Sequence, residues 1–318
     1  MLQGCIYDDT TSCDIKRTVR IAYTRNMKFA DAASQEVRAV TLYAFNAYGK
    51  AVYQRTVDTA TLQAADYVVD VSDLPEGIYT WKAWAEGEER DADSYEWGDA
   101  PVTRAALADF SCRIRRDDEG NIRHDLTPLF YGATGETDFT KSPDGGGREA
   151  TLDLMKNTNH IRVILQQTSG ASLDPTKFTF RITDDNGYMD ADNNLLADDA
   201  ITYYPWAVSG GSVETEGGVS ATGVSVAIAD FTVGRLMATG HRPVLTVQNE
   251  DDVVVFSIPV AQYALLIKGY YNSGLSDQEY LDRQDDYAMT FFLDRDGRWV
   301  SSSILINSWR VVLNDITI

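Results

Sequence analysis

The sequence predicts an all-β fold built as two antiparallel β-sandwich domains in tandem. Apolar and polar residues alternate with period two in many short runs. Long amphipathic helical patterns are missing, which argues against a parallel βαβ sheet. A cluster of Gly, Thr, Ser, Pro and Asp at 132–148, ending in Gly145-Gly146-Gly147, separates two strand-rich halves. The division that follows is a tether over 1–14, an N-terminal sandwich over 15–146 and a C-terminal sandwich over 147–318, with about seven strands in each sandwich and helix below about 15% of residues.

The elements follow in chain order. Thr18-Val19-Arg20-Ile21-Ala22-Tyr23 and the run from Arg38 to Asn46 alternate as half-buried strands. Leu74-Pro75-Glu76-Gly77 sets a turn, and the next strand starts with Ile78 and Tyr79 on opposite faces. In the second half, strand patterns cover 159–167, 178–183, 243–248, 253–258, 287–293 and 309–312. Asp294-Arg295-Asp296-Gly297 places a tight turn between two of them. Ser276 with Glu279 forms a capping box that opens a helix through about Gln284, and Ala229 to Met237 reads as another short helical turn.

Composition removes several function classes. The chain has 318 residues, 28 Lys plus Arg and 48 Asp plus Glu, a net charge of −20 that repels nucleic acid and anionic membrane surfaces. Its densest basic run, Arg113-Ile114-Arg115-Arg116, is followed at once by Asp117-Asp118-Glu119. The uncharged stretch Val253–Ile267 has 15 residues, short of the roughly 20 that a spanning helix needs. G-x-x-x-x-G-K-[ST] and G-x-G-x-x-G cradles are absent, and the nearest approach to a G-x-S-x-G elbow, Gly223 to Ala227, lies in an alternating strand. No cofactor is expected, and the motifs single out no catalytic residues; a surface glycosidase or peptidase on a β scaffold is the least favoured reading.

Metal-ligand spacings are missing as well. His124, His160 and His241 are scattered, and His160, within a strand, reads as a surface or edge residue. Asp184-Asp185-Asn186-Gly187 and Asp190-Ala191-Asp192-Asn193-Asn194 resemble calcium loops at first sight. Framed from Asp190, such a loop requires Gly at 195 and Glu at 201, where the chain has Leu195 and Ile201. Framed from Asp184, the glycine arrives two positions early, so the EF-hand reading fails and no metal site is assigned; what remains is a polar loop that could hold calcium weakly through carboxylates and carbonyls. Tyr203-Tyr204-Pro205-Trp206 and Trp97 could stack on sugar rings, with the sandwich core as the competing use of the same residues.

The cysteines carry a different signal. Leu2-Gln3-Gly4-Cys5 matches the pattern at which bacterial signal peptides are cut and the new N-terminal cysteine is acylated; an unmodified exposed cysteine is the alternative. With Cys5 lipidated, Cys13 and Cys112 remain. A bridge between them would be worth ~4–5 kcal/mol by chain entropy, and two unpaired thiols are the other reading.

One order of motifs runs through nearly the whole chain. It comprises Cys5-Ile6-Tyr7-Asp8-Asp9 with Cys13, Val40 to Phe45, Leu74 to Thr80 and Pro128-Leu129-Phe130-Tyr131-Gly132. It continues with Lys156 to Val163, Gly234 to Met237, Asp277 to Gln284 and Ile306-Asn307-Ser308-Trp309. In this order the chain resembles the FimB/Mfa-type fimbrial anchor lipoproteins of Bacteroidetes-type bacteria; Ser308 stands where that pattern leads one to expect Gly. The resemblance implies two transthyretin-like sandwiches, lipid anchorage in the outer membrane through Cys5, and a role as fimbrial anchor or minor subunit. Its partners would be the major or accessory pilins. A surface lipoprotein that binds glycans through exposed Trp and Tyr is the alternative. The last stretch, Trp309 to Ile318, is either the chain's own final strand or part of the subunit contact, and the C-terminal domain is the expected docking domain.

Overall fold

The structure, a computed structural model, describes residues 16–88, 94–98, 110–140, 148–213, 224–269 and 272–312. Nine strands precede residue 147: β1 (Arg17–Ala22), β2 (Ala39–Asn46), β3 (Ala51–Val57), β4 (Val68–Asp70), β5 (Ile78–Glu86), β6 (Tyr95–Trp97), β7 (Cys112–Ile114), β8 (Asn121–Ile122) and β9 (Leu129–Asp138). The next six are β10 (Arg148–Lys156), β11 (Thr158–Gln167), β12 (Phe178–Asp184), β13 (Tyr188–Met189), β14 (Ile201–Tyr203) and β15 (Ala207–Val213). The last six are β16 (Val224–Gly234), β17 (Val244–Asn249), β18 (Val254–Pro259), β19 (Asp286–Leu293), β20 (Trp299–Ile306) and β21 (Trp309–Val312). Helix is confined, among the described residues, to α1 (Ala33–Glu36), α2 (Thr59–Ala64), α3 (Val260–Leu265), α4 (Asp277–Arg283) and a 3-10 turn at Pro175–Lys177. None of these helices is long and apolar enough to cross a membrane. The fold is all-β.

The first sheet has seven strands in the order β3-β2-β5-β9-β10-β1-β4. Both of its edges, through Val57 and Val69, feed the same apolar cluster as Leu42, Trp81, Ala83 and Leu152, so the sheet curls around its own core. The division expected at 146/147 falls inside this sheet. β10 pairs in parallel with β1, from Arg17 opposite Arg148 to Ala22 opposite Asp153, and the layer therefore extends to Lys156. Ala150, Leu152 and Leu154 supply the buried face that completes the core around Val19 and Ile21.

A second core lies between a six-stranded sheet, β15-β16-β11-β19-β20-β21, and a five-stranded sheet, β18-β17-β12-β14-β8. Ile161, Val163, Phe231, Met289 and Phe291 meet Phe180, Ile182, Leu245, Val247 and Phe256 there. The separation by sequence is again crossed. β8 borders the five-stranded sheet, while β6 and β7 join β13 in a small third sheet, so Tyr95, Phe110, Cys112, Ile114 and Ile122 pack on the second core. Trp84 and Tyr131, from the first sheet, reach the same cluster, and the two cores share a wall.

Local signals explain individual elements. Ser276 Oγ accepts the Glu279 amide at 3.1 Å and opens α4 as the capping box requires. Asp294 Oδ1 accepts the amides of Asp296 and Arg298 at 2.9 Å each, and Gly297, at φ +75°, turns β19 into β20. Ile78 is exposed and Tyr79 buried, on opposite faces as the alternation predicts. The helical turn expected at Ala229 to Met237 is corrected: Val224–Gly234 is one strand, paired on both sides by β11 and β15. Its Ala227, Ala229, Phe231 and Val233 bury alternate positions, and two ladders outweigh the helix preference of the alanines.

Candidate functional site

The sheet edges are where backbone donors and acceptors remain available to another chain. Among the described residues, β15 and β21 border the six-stranded sheet, each with one neighbour. β21 is the chain's own strand, antiparallel to β20 with Trp309 opposite Ile306; residues 313–318 lie outside the described residues. Trp309 is 62% exposed at the start of this edge, and Val208 is exposed on β15. Beside β21 opens a cavity of about 310 Å³ lined by Met27, Ile267, Tyr280, Asn307 and Trp309, among others. A strand edge with no second neighbour among the described residues, next to a recess of mixed apolar and polar lining, is the geometry that strand addition uses: backbone bonds align the partner and a pocket takes one of its side chains.

A second recess, about 430 Å³, lies at the junction of the two cores between Asp125, Pro128, Lys156, His160 and Thr232. Several of its polar groups are engaged with one another or with neighbouring carboxylates. Lys156 Nζ contacts Asp285 at 2.7 Å and Glu36 at 3.3 Å, and the Thr232 hydroxyl donates to Asp125. His160 sits on β11, an interior strand, rather than at an edge; its Nδ1 is 3.1 Å from Asp286 and its Nε2 3.3 Å from Asp230. The hydrogen bond to Asp286 holds its pKa above the ordinary imidazole value despite burial.

The acidic stretch divides into two fates. Asp190 Oδ1 accepts the amides of Asp192 and Asn194, so the loop that resembles a calcium site spends its first carboxylate on its own backbone. Asn193, at φ +63°, turns inward and exchanges amide hydrogen bonds with Asn157 at 2.8 and 3.1 Å. Lys82 on β5 reaches Asp192 at 2.5 Å, which fastens this loop to the first sheet. Asp184 and Asp185, by contrast, meet His241, a residue no local spacing connects to them. Burial pushes the Asp184 carboxyl up to about 6, and the neighbouring Asp185 charge adds to the shift.

The aromatic residues expected as a sugar platform are dispersed. Tyr203 is fully buried and donates its hydroxyl to Asn186 Oδ1 at 2.7 Å. Tyr204 lies under the Arg123 guanidinium at 3.9 Å, and Trp97 packs edge-on against Trp84. Only Trp206, tilted against His160, keeps an exposed face among these four. Cys112 is buried on β7 in the second core, where burial raises its thiol pKa well above the ordinary value. Cys5 and Cys13 lie outside the described residues.

The family model of the fimbrillin-A associated anchor proteins Mfa1 and Mfa2 matches residues 10–315. A candidate adhesin from Bacteroides thetaiotaomicron is 33% identical, with 96% of this chain and 100% of that one covered at a TM-score of 0.82. A candidate polysaccharide-binding protein from the same organism is 27% identical over 95% and 99% of the two chains, at 0.79. The fimbrial anchor protein Mfa2 from Porphyromonas gingivalis shares the fold at 18% identity, 94% and 99% coverage and a TM-score of 0.66. No curated protein matches.

Proposed function

The chain belongs to the family of fimbrillin-A associated anchor proteins, and on that premise we propose that it links a fimbrial rod to the outer membrane as anchor or minor subunit. Family membership implies a fimbrium-associated role at the cell surface, among proteins that are non-enzymatic in kind. The match over residues 10–315, nearly the whole chain, carries the proposal. Residues 1–14 serve as the tether, with acyl chains on Cys5 holding the protein in the membrane; a single chain gives marginal binding, so two or more are required. Docking of the pilin uses the edge of the six-stranded sheet at β21, with Trp309 and the adjoining cavity receiving side chains of the added strand.

Deleting the gene should shed fimbriae into the medium or change their length while pilin synthesis continues. Pull-down from the native envelope should recover pilin with the wild type and less of it with Trp309→Ala. Cys5→Ser should move the protein from the outer-membrane fraction to the soluble fraction, and retention there would end the lipid assignment. Mass spectrometry of non-reduced protein decides whether Cys13 bridges Cys112.

A second reading is favoured by one observation, the 27% identical structure that bears a polysaccharide-binding name. Under it the exposed Trp206 and Trp309 contact glycan. Firmly attached, normal fimbriae in the deletion strain, together with saturable glycan-array binding lost on Trp206→Ala, would select it.

A further inference from the structure

Asp184 closes β12, Asp185 follows it, and His241 stands just ahead of β17, the strand that pairs with β12 through Thr183 opposite Val244. One donor atom from each of the three side chains lies within 4.8 Å of the other two. His241 Nδ1 is 2.6 Å from Asp185 Oδ1. Asp184 is 7% exposed, and both of its carboxylate oxygens are buried without a hydrogen-bond partner. Buried polar atoms are nearly always satisfied, because an unmet carboxylate costs several times what a hydrogen bond returns. Here an unmet carboxylate faces a second carboxylate and an imidazole, a combination that a cation satisfies in one step.

We propose that Asp184, Asp185 and His241 bind a divalent first-row transition cation, zinc fitting best. Imidazole nitrogen suits zinc and its neighbours, whereas calcium and magnesium take all-oxygen shells. Three protein ligands leave a fourth tetrahedral position for water. Bonds of about 2.0–2.2 Å to a central ion set tetrahedral ligand atoms roughly 3.3–3.5 Å apart, within the observed spread. The Asp185–His241 hydrogen bond then opens by about 1 Å, with the imidazole lone pair going to the metal instead of its N–H going to the carboxylate.

The backbone beside the ligands is held in place. Asn186 donates Nδ2 to the Arg235 carbonyl at 3.1 Å and accepts the Tyr203 hydroxyl, which fixes the turn that follows Asp185. His241 arrives on the connection between β16 and β17, just after Gly240 at φ +87°. A bound ion therefore fastens that connection to the β12–β13 turn.

Calorimetric titration of the tag-free full chain with zinc chloride tests this. The wild type should take up zinc saturably, with a rise in melting temperature, and His241→Gln and Asp184→Asn should each weaken binding by about tenfold or more. His124→Gln, at an exposed histidine, should bind as the wild type does. Asp184→Asn removes an unpaired buried charge and should melt no lower than the wild type without metal, which separates lost ligation from lost folding. Absence of saturable zinc binding, or binding unchanged in both ligand variants, overturns the site. Calcium binding of equal strength that survives His241→Gln overturns the choice of cation.

Discussion

Lys156, the last residue of the first sheet, places its Nζ 2.7 Å from Asp285, the residue that leads into the interior strand β19 of the second core. A single side chain thus spans the junction, with Glu36 at 3.3 Å and the Phe130 ring at 5.8 Å completing its surroundings. Burial opposes the ammonium charge, but Asp285 and Glu36 outweigh it and hold the pKa above the ordinary lysine value. Lys156→Ala leaves two part-buried carboxylates facing each other and is expected to cost about 1–3 kcal/mol in urea unfolding. A loss below about 0.5 kcal/mol would show that solvent screens the contact.

His160 gives the protein a pH signature. Its raised pKa means that its contribution is fully present below the unfolded value of about 6.5 and fades as pH rises through the folded one. Asp286, lowered by the hydrogen bond from His160, contributes above about 3.8 and loses its effect as pH falls through its folded value. The pair is therefore strongest between about pH 4 and 6.5. Asp230 and Arg162 complete the charged groups facing the ring. His160→Gln should cost on the order of 0.5–1 kcal/mol at pH 5.5 and less at pH 8.5. Equal losses at both pH values would assign the effect to packing.

Gly132 tests the shared wall of the first sheet. A methyl group there would run into Leu152 and stand 2.9 Å from Leu154 Cδ2, both on β10. Gly132→Ala should destabilise by about 1–3 kcal/mol as those leucines are forced aside. Unchanged thermal stability would mean that β10 shifts freely.

Ser308 is in the left-handed region at φ +70°, next to Asn307 at φ +46°, in the two-residue turn that joins β20 to β21. Glycine adopts that conformation without a steric penalty, which is the physical reason to expect Gly at this position. Ser308→Gly should stabilise by about 0.5–1 kcal/mol in urea unfolding, and a loss of stability would show that the hydroxyl is used.

Strands, the α4 cap and the Asp-Gly turn are legible because each is encoded within a few residues. What escapes is encoded in register. β10 looks like the opening strand of a second unit, since the glycine-rich run precedes it; only its parallel pairing with β1 assigns it to the first sheet. Ala229 to Met237 has helix-favouring residues, and the strand state of 229–234 comes from pairing with β11, joined on the other side by β15 as far as Asp230. The acidic loops read alike in sequence, yet Asp190 serves its own turn while Asp184 meets His241 through the alignment of β12 with β17. Tyr203 is indistinguishable by type from Tyr204, and burial separates them.

The parallel pairing of β1 with β10 also sets how the first sheet would respond to tension in the proposed anchoring role. β1 is held on one side by β10 over Arg17 to Ala22 and on the other by β4 over Thr18 to Arg20. Tension entering at residue 16 and running along the strand would stress these hydrogen bonds in shear, all at once, instead of peeling them one after another as from an edge. β1, the first strand among the described residues, is thus seated where rupture demands the simultaneous failure of two ladders.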